Sequence, residues 1–202
     1  MERNSKQRRV SLAITGASGV CYGLRILEVL SKRGHRVDLM ISKSALKCLQ
    51  VECDLPAHPK EILQALDVDR ENIQLHQVEN IASSLASGSS VRDLHAGLII
   101  PCSMGTAARI AFGNSSNLIE RHADVLIKER IPLVLVPRET PLSSLHLENL
   151  LKLSRLGCYI VPAMPGFYHR PKSKEDLVDH LVGKVLDTVK LDHDLYQRWQ
   201  GE

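Results

Sequence analysis

Short β-rich runs alternate along this chain with stretches of helical periodicity, and Val10 to Ile14, Arg36 to Ile41, Ala96 to Pro101, Leu133 to Pro137 and Cys158 to Val161 are the candidate strands. Runs such as Leu98-Ile99-Ile100 and Leu133-Val134-Leu135-Val136 offer water no polar face, so they suit a parallel sheet covered on both sides. The first helical stretch carries Val20, Leu24, Leu27 and Leu30 at intervals of three and four, and Gly34 stops it. Strand and helix in alternation predict an α/β fold: a single doubly wound, Rossmann-like domain whose mainly parallel sheet is flanked by helices.

The 202 residues suit one domain with a real core. A flexible basic arm is expected at 1–8, the domain at 9–190, and a tail at 191–202 that carries Trp199, the one tryptophan. That placement predicts a tail that folds back or docks on a neighbour. Pro56 to Ser90 is the least regular part and is expected to be an insertion, with a helix near Lys60 to Leu66 and a mobile end rich in serine. Asn117 with Glu120 three residues on resembles a capping box, and Thr140 offers an N-cap before Pro141.

Charge and cysteine usage narrow the partners. With 26 basic against 23 acidic residues the chain lacks the excess of a nucleic-acid binder, and anionic small molecules are expected instead. Cys21, Cys48, Cys53, Cys102 and Cys158 form no CxxC pair and no zinc-type spacing, so reduced thiols and no metal are expected. No segment approaches the roughly 20 apolar residues that cross a bilayer, and the basic start Met1 to Arg9 lacks the apolar stretch of a signal peptide. A cytoplasmic protein is expected, although so short an arm leaves a mitochondrial address open.

Gly16-Ala17-Ser18-Gly19 lies where the first strand enters the first helix. Unpaired amides and the positive end of the peptide dipole make such a start a seat for phosphate, and small residues allow close approach. An NAD site would want GxGxxG and a carboxylate closing the second strand, whereas this strand ends in Ile41-Ser42-Lys43. The Walker pattern is also missing, so a mononucleotide phosphate is favoured over NAD or ATP. Pro101-Cys102-Ser103-Met104-Gly105-Thr106 repeats the arrangement after a later strand, and both loops are expected at one crevice. Arg138 and Glu139 close the next strand, and a stiff loop from Pro162 to Pro171 carries Phe167, Tyr168 and His169.

Those motifs, with Asn117-Leu118-Ile119-Glu120-Arg121 and Lys128-Glu129-Arg130, together closely resemble the UbiX-type flavin prenyltransferases, from about Arg9 to Trp199. The resemblance implies a metal-independent transferase that joins the dimethylallyl group of dimethylallyl monophosphate to N5 and C6 of reduced FMN. Prenylated FMN would then pass to a UbiD-type decarboxylase. It implies that Gly16, Ala17, Ser18, Ser42, Ser103, Met104, Gly105, Thr106 and Arg138 bind FMN. Tyr168, assisted by Lys128, Arg121, Lys184 and Trp199, would receive the prenyl phosphate. Glu139 would handle the proton at the departing phosphate, and Ser18 and Glu52 would assist proton movement during ring closure. Assembly as a homo-oligomer, trimer-based and dodecameric, is implied as well.

Two positions depart from the family pattern. Lys184 stands where many relatives carry arginine; it lies at the edge of the stripe Leu177, Leu181, Val185, from which it is expected to point inward. His122 stands where small residues are usual and is expected at a surface or interface, while His169 is expected to stabilise its loop. Two other functions stay open: a flavin-dependent cysteine decarboxylase of the same fold, although Pro162-Ala163-Met164-Pro165 lacks the asparagine of that family's substrate clamp, and a non-catalytic FMN carrier.

Overall fold

Successive residues of β1 (Arg9–Ile14) part to opposite faces of the sheet, and each face carries its own core. Val10, Leu12 and Ile14 pack with α1 (Val20–Lys32), α2 (Lys43–Cys53), α3 (Pro59–Ala65) and α7 (Lys174–Thr188). Ala13 faces the other core, formed with α4 (Met104–Ala111), α5 (Leu118–Glu129) and α6 (Ser144–Arg155). The computed structural model describes residues 7–197. Its other strands are β2 (Arg36–Ile41), β3 (Ile73–His76), β4 (Leu94–Cys102), β5 (Leu133–Pro137) and β6 (Tyr159–Ile160). They form one sheet in the order β3-β2-β1-β4-β5-β6, parallel at every pairing. The order reverses between β1 and β4, so their following helices leave to opposite faces.

Pro56 to Ser90 differs from expectation. The helix is present as α3, but β3 extends the sheet, and the serine-rich end is not a loose loop. It forms two short 3₁₀ turns, Ser84–Ala86 and Gly88–Val91, that drive Leu85 and Val91 into the core at 0% exposure. A fully buried aliphatic side chain contributes roughly 1.5–3 kcal/mol, enough to pin so short a segment. Polar bonds add to this: Asp38 on β2 accepts from Arg9 Nε at 2.7 Å and meets His76 Nε2 at 2.8 Å, and His76 Nδ1 meets Ser83 Oγ at 3.0 Å.

His122 is likewise not at the surface. It is buried on α5, with Nε2 2.7 Å from Ser11 Oγ and Nδ1 2.8 Å from the Leu85 carbonyl. The helix expected at Thr140 starts at Ser144 instead, because Ser143 and His146 cap it reciprocally. Asn117 does cap α5 by accepting the Glu120 N–H at 3.1 Å. The Glu120 carboxylate, however, turns to Arg109, the Ser116 N–H and the Asn117 amide rather than back to the Asn117 backbone. Beyond α7 the chain returns upon it: Leu191 is buried, Arg33 pairs with Asp194, and Tyr196 O–H donates to Asp187 at 2.6 Å. Trp199 lies outside the described residues.

Candidate functional site

The carboxyl ends of β1, β2 and β4 are tied together by short bonds, and this brings three helix starts to one rim. Thr15 Oγ1 donates to the Pro101 carbonyl at 2.8 Å and accepts the Ser103 N–H at 2.8 Å. The Ser42 N–H reaches the Ile14 carbonyl at 3.0 Å. Ser42 Oγ then caps α2 by accepting from Ala45 N–H at 3.1 Å, and Ser103 Oγ caps α4 by accepting from Thr106 N–H at 3.3 Å. The first-turn amides of Lys43, Ser44, Met104 and Gly105 have no acceptor within their helices and point towards the rim.

Small residues are required here for space as well as shape. A Cβ on Gly16 would lie 2.3 Å from both Cβ and Oγ of Ser44, so only glycine lets the first loop close against the head of α2. Gly19 begins α1 at φ +92°, a left-handed conformation that disfavours side chains. The Gly19 N–H is taken by Glu52 Oε2 at 2.8 Å. Any phosphate at the head of α1 therefore shares it with a carboxylate, and the amides of α2 and α4 are the stronger anion donors.

Arg138 and Glu139 follow β5 onto the same rim. Arg138 Nε donates to the Ser18 carbonyl at 3.2 Å, which fixes the guanidinium over the first loop, and Glu139 Oε1 accepts the Thr140 N–H at 3.0 Å. Beside them the loop after β6, tied to β5 by the Ala163 N–H bond to the Pro137 carbonyl at 3.0 Å, presents exposed Met164 and Phe167 and the half-exposed Tyr168. The Tyr168 hydroxyl lies 3.0 Å from His180 Nε2 on α7. His169 stacks on His180 with ring centroids 4.6 Å apart, which agrees with a loop-stabilising part for it. His180 itself gave no signal in the sequence, since its partners Gly166 and Tyr168 lie one loop away and no motif links them.

Gly16, Ala17, Ser18, Ser42, Glu52, Ser103, Met104, Gly105, Thr106, Arg138, Glu139 and the Tyr168 loop thus lie at one end of the sheet. The remaining cations do not join them within a single chain. Lys128 pairs with Glu129 at 2.8 Å in the last turn of α5, which leads to the amino end of β5, far from the rim. Arg121 is engaged by Asp124 at 2.7 Å and by the Ala86 carbonyl. Lys184 is exposed on α7 rather than turned inward, because buried Leu181 and Val185 already fill the inner face of that turn.

Burial disfavours the thiolate at every cysteine. Burial pushes Cys102 up to about 12 and Cys158 up to about 11, and burial also raises Cys21, Cys48 and Cys53, all five being free. A cavity of about 540 Å³ at the other end of the sheet, lined in part by Arg130, Leu133, Arg155 and Tyr159, holds none of the candidate residues. Among the described residues no group of three or more His, Cys, Asp or Glu side chains is placed to hold a metal ion, and no helix is long and apolar enough to cross a membrane.

A flavoprotein family model matches residues 1–191. Flavin prenyltransferase UbiX of Pseudomonas aeruginosa is 48% identical over 202 residues, covering 96% of this chain and 95% of that protein. Among solved structures, AnUbiX in complex with FMN and dimethylallyl pyrophosphate has a TM-score of 0.88 at 38% identity, over 98% of this chain and 100% of its own. A dodecameric FMN-dependent UbiX-like decarboxylase from Escherichia coli O157:H7 has a TM-score of 0.85 at 38% identity, over 96% of this chain and 100% of its own. With likeness running nearly end to end, in sequence and in fold, the chain belongs to the flavoprotein family and, within it, to the UbiX flavin prenyltransferases.

Proposed function

We propose that this protein transfers the dimethylallyl group of dimethylallyl monophosphate to reduced FMN, without a metal, and supplies prenylated FMN to a UbiD-type decarboxylase. The observation that carries this reading is the rim itself: anion-binding helix starts, Arg138, two carboxylates and the Tyr168 loop on one side of the sheet. The cradle fits a flavin mononucleotide. Gly16 and Gly105 keep its floor free of side chains, and a Cβ at Gly16 would fill space that Ser44 needs.

Bound reduced FMN supplies N5 and C6 as the two points of attachment, so its net gain is C5H8 with release of inorganic phosphate. The protein's work is to bind, aim and move protons. The amides of α2 and α4, with Ser42, Ser103 and Thr106, hold the flavin phosphate and ring edge, and Arg138 adds a fixed planar cation. The prenyl C–O bond breaks with its electron pair leaving on the phosphate, and Glu139 delivers a proton to that oxygen. Tyr168 binds the departing group, and preplaced donors there neutralise charge that magnesium would otherwise meet; Lys184, exposed on α7, adds at most a distant positive charge. Lys128 lies in the last turn of α5, away from the rim, and Arg121 is engaged by Asp124 and the Ala86 carbonyl, so their contribution comes from a second copy in a trimer-based dodecamer. Glu52, held at Gly19, works with Ser18 to exchange the proton gained at the prenyl double bond for the one lost at C6.

Anaerobic incubation with reduced FMN, dimethylallyl monophosphate and a chelator, followed by mass spectrometry of the released flavin, tests this directly. A gain of one C5H8 unit is the expected result. Unmodified flavin, from protein shown to bind FMN and the prenyl phosphate, refutes the transfer. Dimethylallyl pyrophosphate in parallel reports which leaving group the site accepts.

A further inference from the structure

Tyr168 is oriented by a side chain from α7. The Gly166 N–H donates to His180 Nδ1 at 3.2 Å, while His180 Nε2 lies 3.0 Å from the Tyr168 hydroxyl. A backbone amide is only a donor, so Nδ1 holds the lone pair and the proton of the neutral imidazole sits on Nε2. Nε2–H therefore donates to the phenol oxygen, and the hydroxyl hydrogen of Tyr168 is directed away from His180.

The ring that does this is itself fixed. His180 is 4% exposed. His169 stacks on it with an interplanar angle of 3°, Tyr168 meets it edge-on with centroids 5.3 Å apart, and Tyr196 lies 4.9 Å away. A Cβ on Gly166 would lie 3.0 Å from the Tyr168 ring and 3.3 Å from His180 Cε1, so a side chain there would crowd the pair. Burial, then the charges of His169 and Lys184, lower the His180 pKa, in keeping with a neutral ring.

The geometry points to His180 as a positioning residue for phosphate-monoester recognition: neutral and protonated on Nε2, it anchors the Tyr168 oxygen and aims its O–H at the prenyl phosphate. His180 does not touch substrate; it acts through Tyr168, and the inference rests on the proposed part of Tyr168 in binding that phosphate. A hydroxyl whose oxygen already accepts a hydrogen bond is polarised and is a stronger donor, and a fixed rotor loses less freedom on binding.

The test is dimethylallyl monophosphate binding to the FMN-loaded protein by calorimetry, with KM and kcat under anaerobic turnover, for His180→Phe and His180→Gln, each with and without Tyr168→Phe. His180→Phe is expected to weaken binding and raise KM about tenfold with FMN affinity unchanged. His180→Gln, whose amide donates from nearly the same place as Nε2, is expected to recover most of the loss. In the Tyr168→Phe background neither substitution should cost anything further. An equal loss from His180→Phe with and without the Tyr168 hydroxyl, or no loss at all, overturns the inference and leaves His180 a packing residue. Binding that depends on His180 and Tyr168 jointly, in protein that transfers no prenyl group, refutes the transferase reading while upholding the positioning.

Discussion

Two regions of this protein are built from the same polar residue types and use them in opposite ways. Beside the core of the sheet, Arg9, Asp38, His76, Ser83, Ser11 and His122 are paired with one another or with backbone, with Asp38, Ser11 and His122 buried and Arg9, His76 and Ser83 partly so. At the carboxyl rim, Ser42, Ser103, Arg138 and Glu139 are held mainly by local caps and backbone, with charge and first-turn amides left facing outward. A polar group whose bonds are satisfied inside the chain fixes shape. One that is oriented but not enclosed is available for chemistry.

Substitutions in the two regions should separate turnover from stability. The largest effect expected is at the rim: Glu139→Gln should lower turnover about 10²–10⁴-fold, while FMN affinity and the denaturant midpoint stay as they are. Single-turnover mass spectrometry and equilibrium unfolding measure the two sides. Asp38→Asn should do the reverse. Burial pushes the Asp38 carboxyl up, but bonds from His76 and Arg9 outweigh this and hold it below the usual carboxylate range. Breaking that buried set is expected to cost about 3 kcal/mol of stability, with turnover by the folded fraction unchanged.

A pH series resolves a further part of the buried region. Burial holds His122 neutral and pushes its pKa down to about 4 from 6.5. Between those values the unfolded chain binds the proton and the folded one does not, so stability falls as the solution is acidified, by about 3 kcal/mol in all. His122→Leu should start less stable at pH 7, having lost its bonds to Ser11 and Leu85, yet show a shallower decline from pH 6.5 to 4. Circular dichroism in urea at fixed pH steps measures both. The smallest effect belongs to the exposed Lys184: Lys184→Arg should shift stability by less than about 0.5 kcal/mol and KM for the prenyl phosphate by about threefold at most, read from initial rates.

The rim was legible in the sequence and the buried set was not, for a physical reason. Rim residues follow strands directly, and strand, small-residue turn and helix are contiguous, so β1, β2, β4 and β5 announced the loops holding Gly16, Ser42, Ser103 and Arg138. His122 and Ser11 are 111 residues apart, Asp38 and His76 are 38 apart, and nothing local links them. The serine-rich stretch looked loose because its anchors, Leu85 and Val91, are too few to show a period. Thr140 before Pro141 satisfied a rule for helix starts, but Ser143 satisfied it more fully. Lys184 illustrates the limit of helical geometry: an angle near a stripe does not tell which flank is already filled.

The strand order carries a consequence for synthesis. β1 is central, and one of its neighbours is β4, with Thr15 reaching Pro101 across 86 residues of chain. On the ribosome β2 can pair with β1 almost at once, but the other edge of β1 waits for those residues to be made, roughly 4 to 17 s at about 5–20 residues per second. For that interval Val10, Leu12 and Ile14 border an open strand edge, the kind of surface that recruits other nascent chains. Truncations ending before Leu94 should therefore precipitate, whereas those extending past Cys102 close the edge and gain solubility.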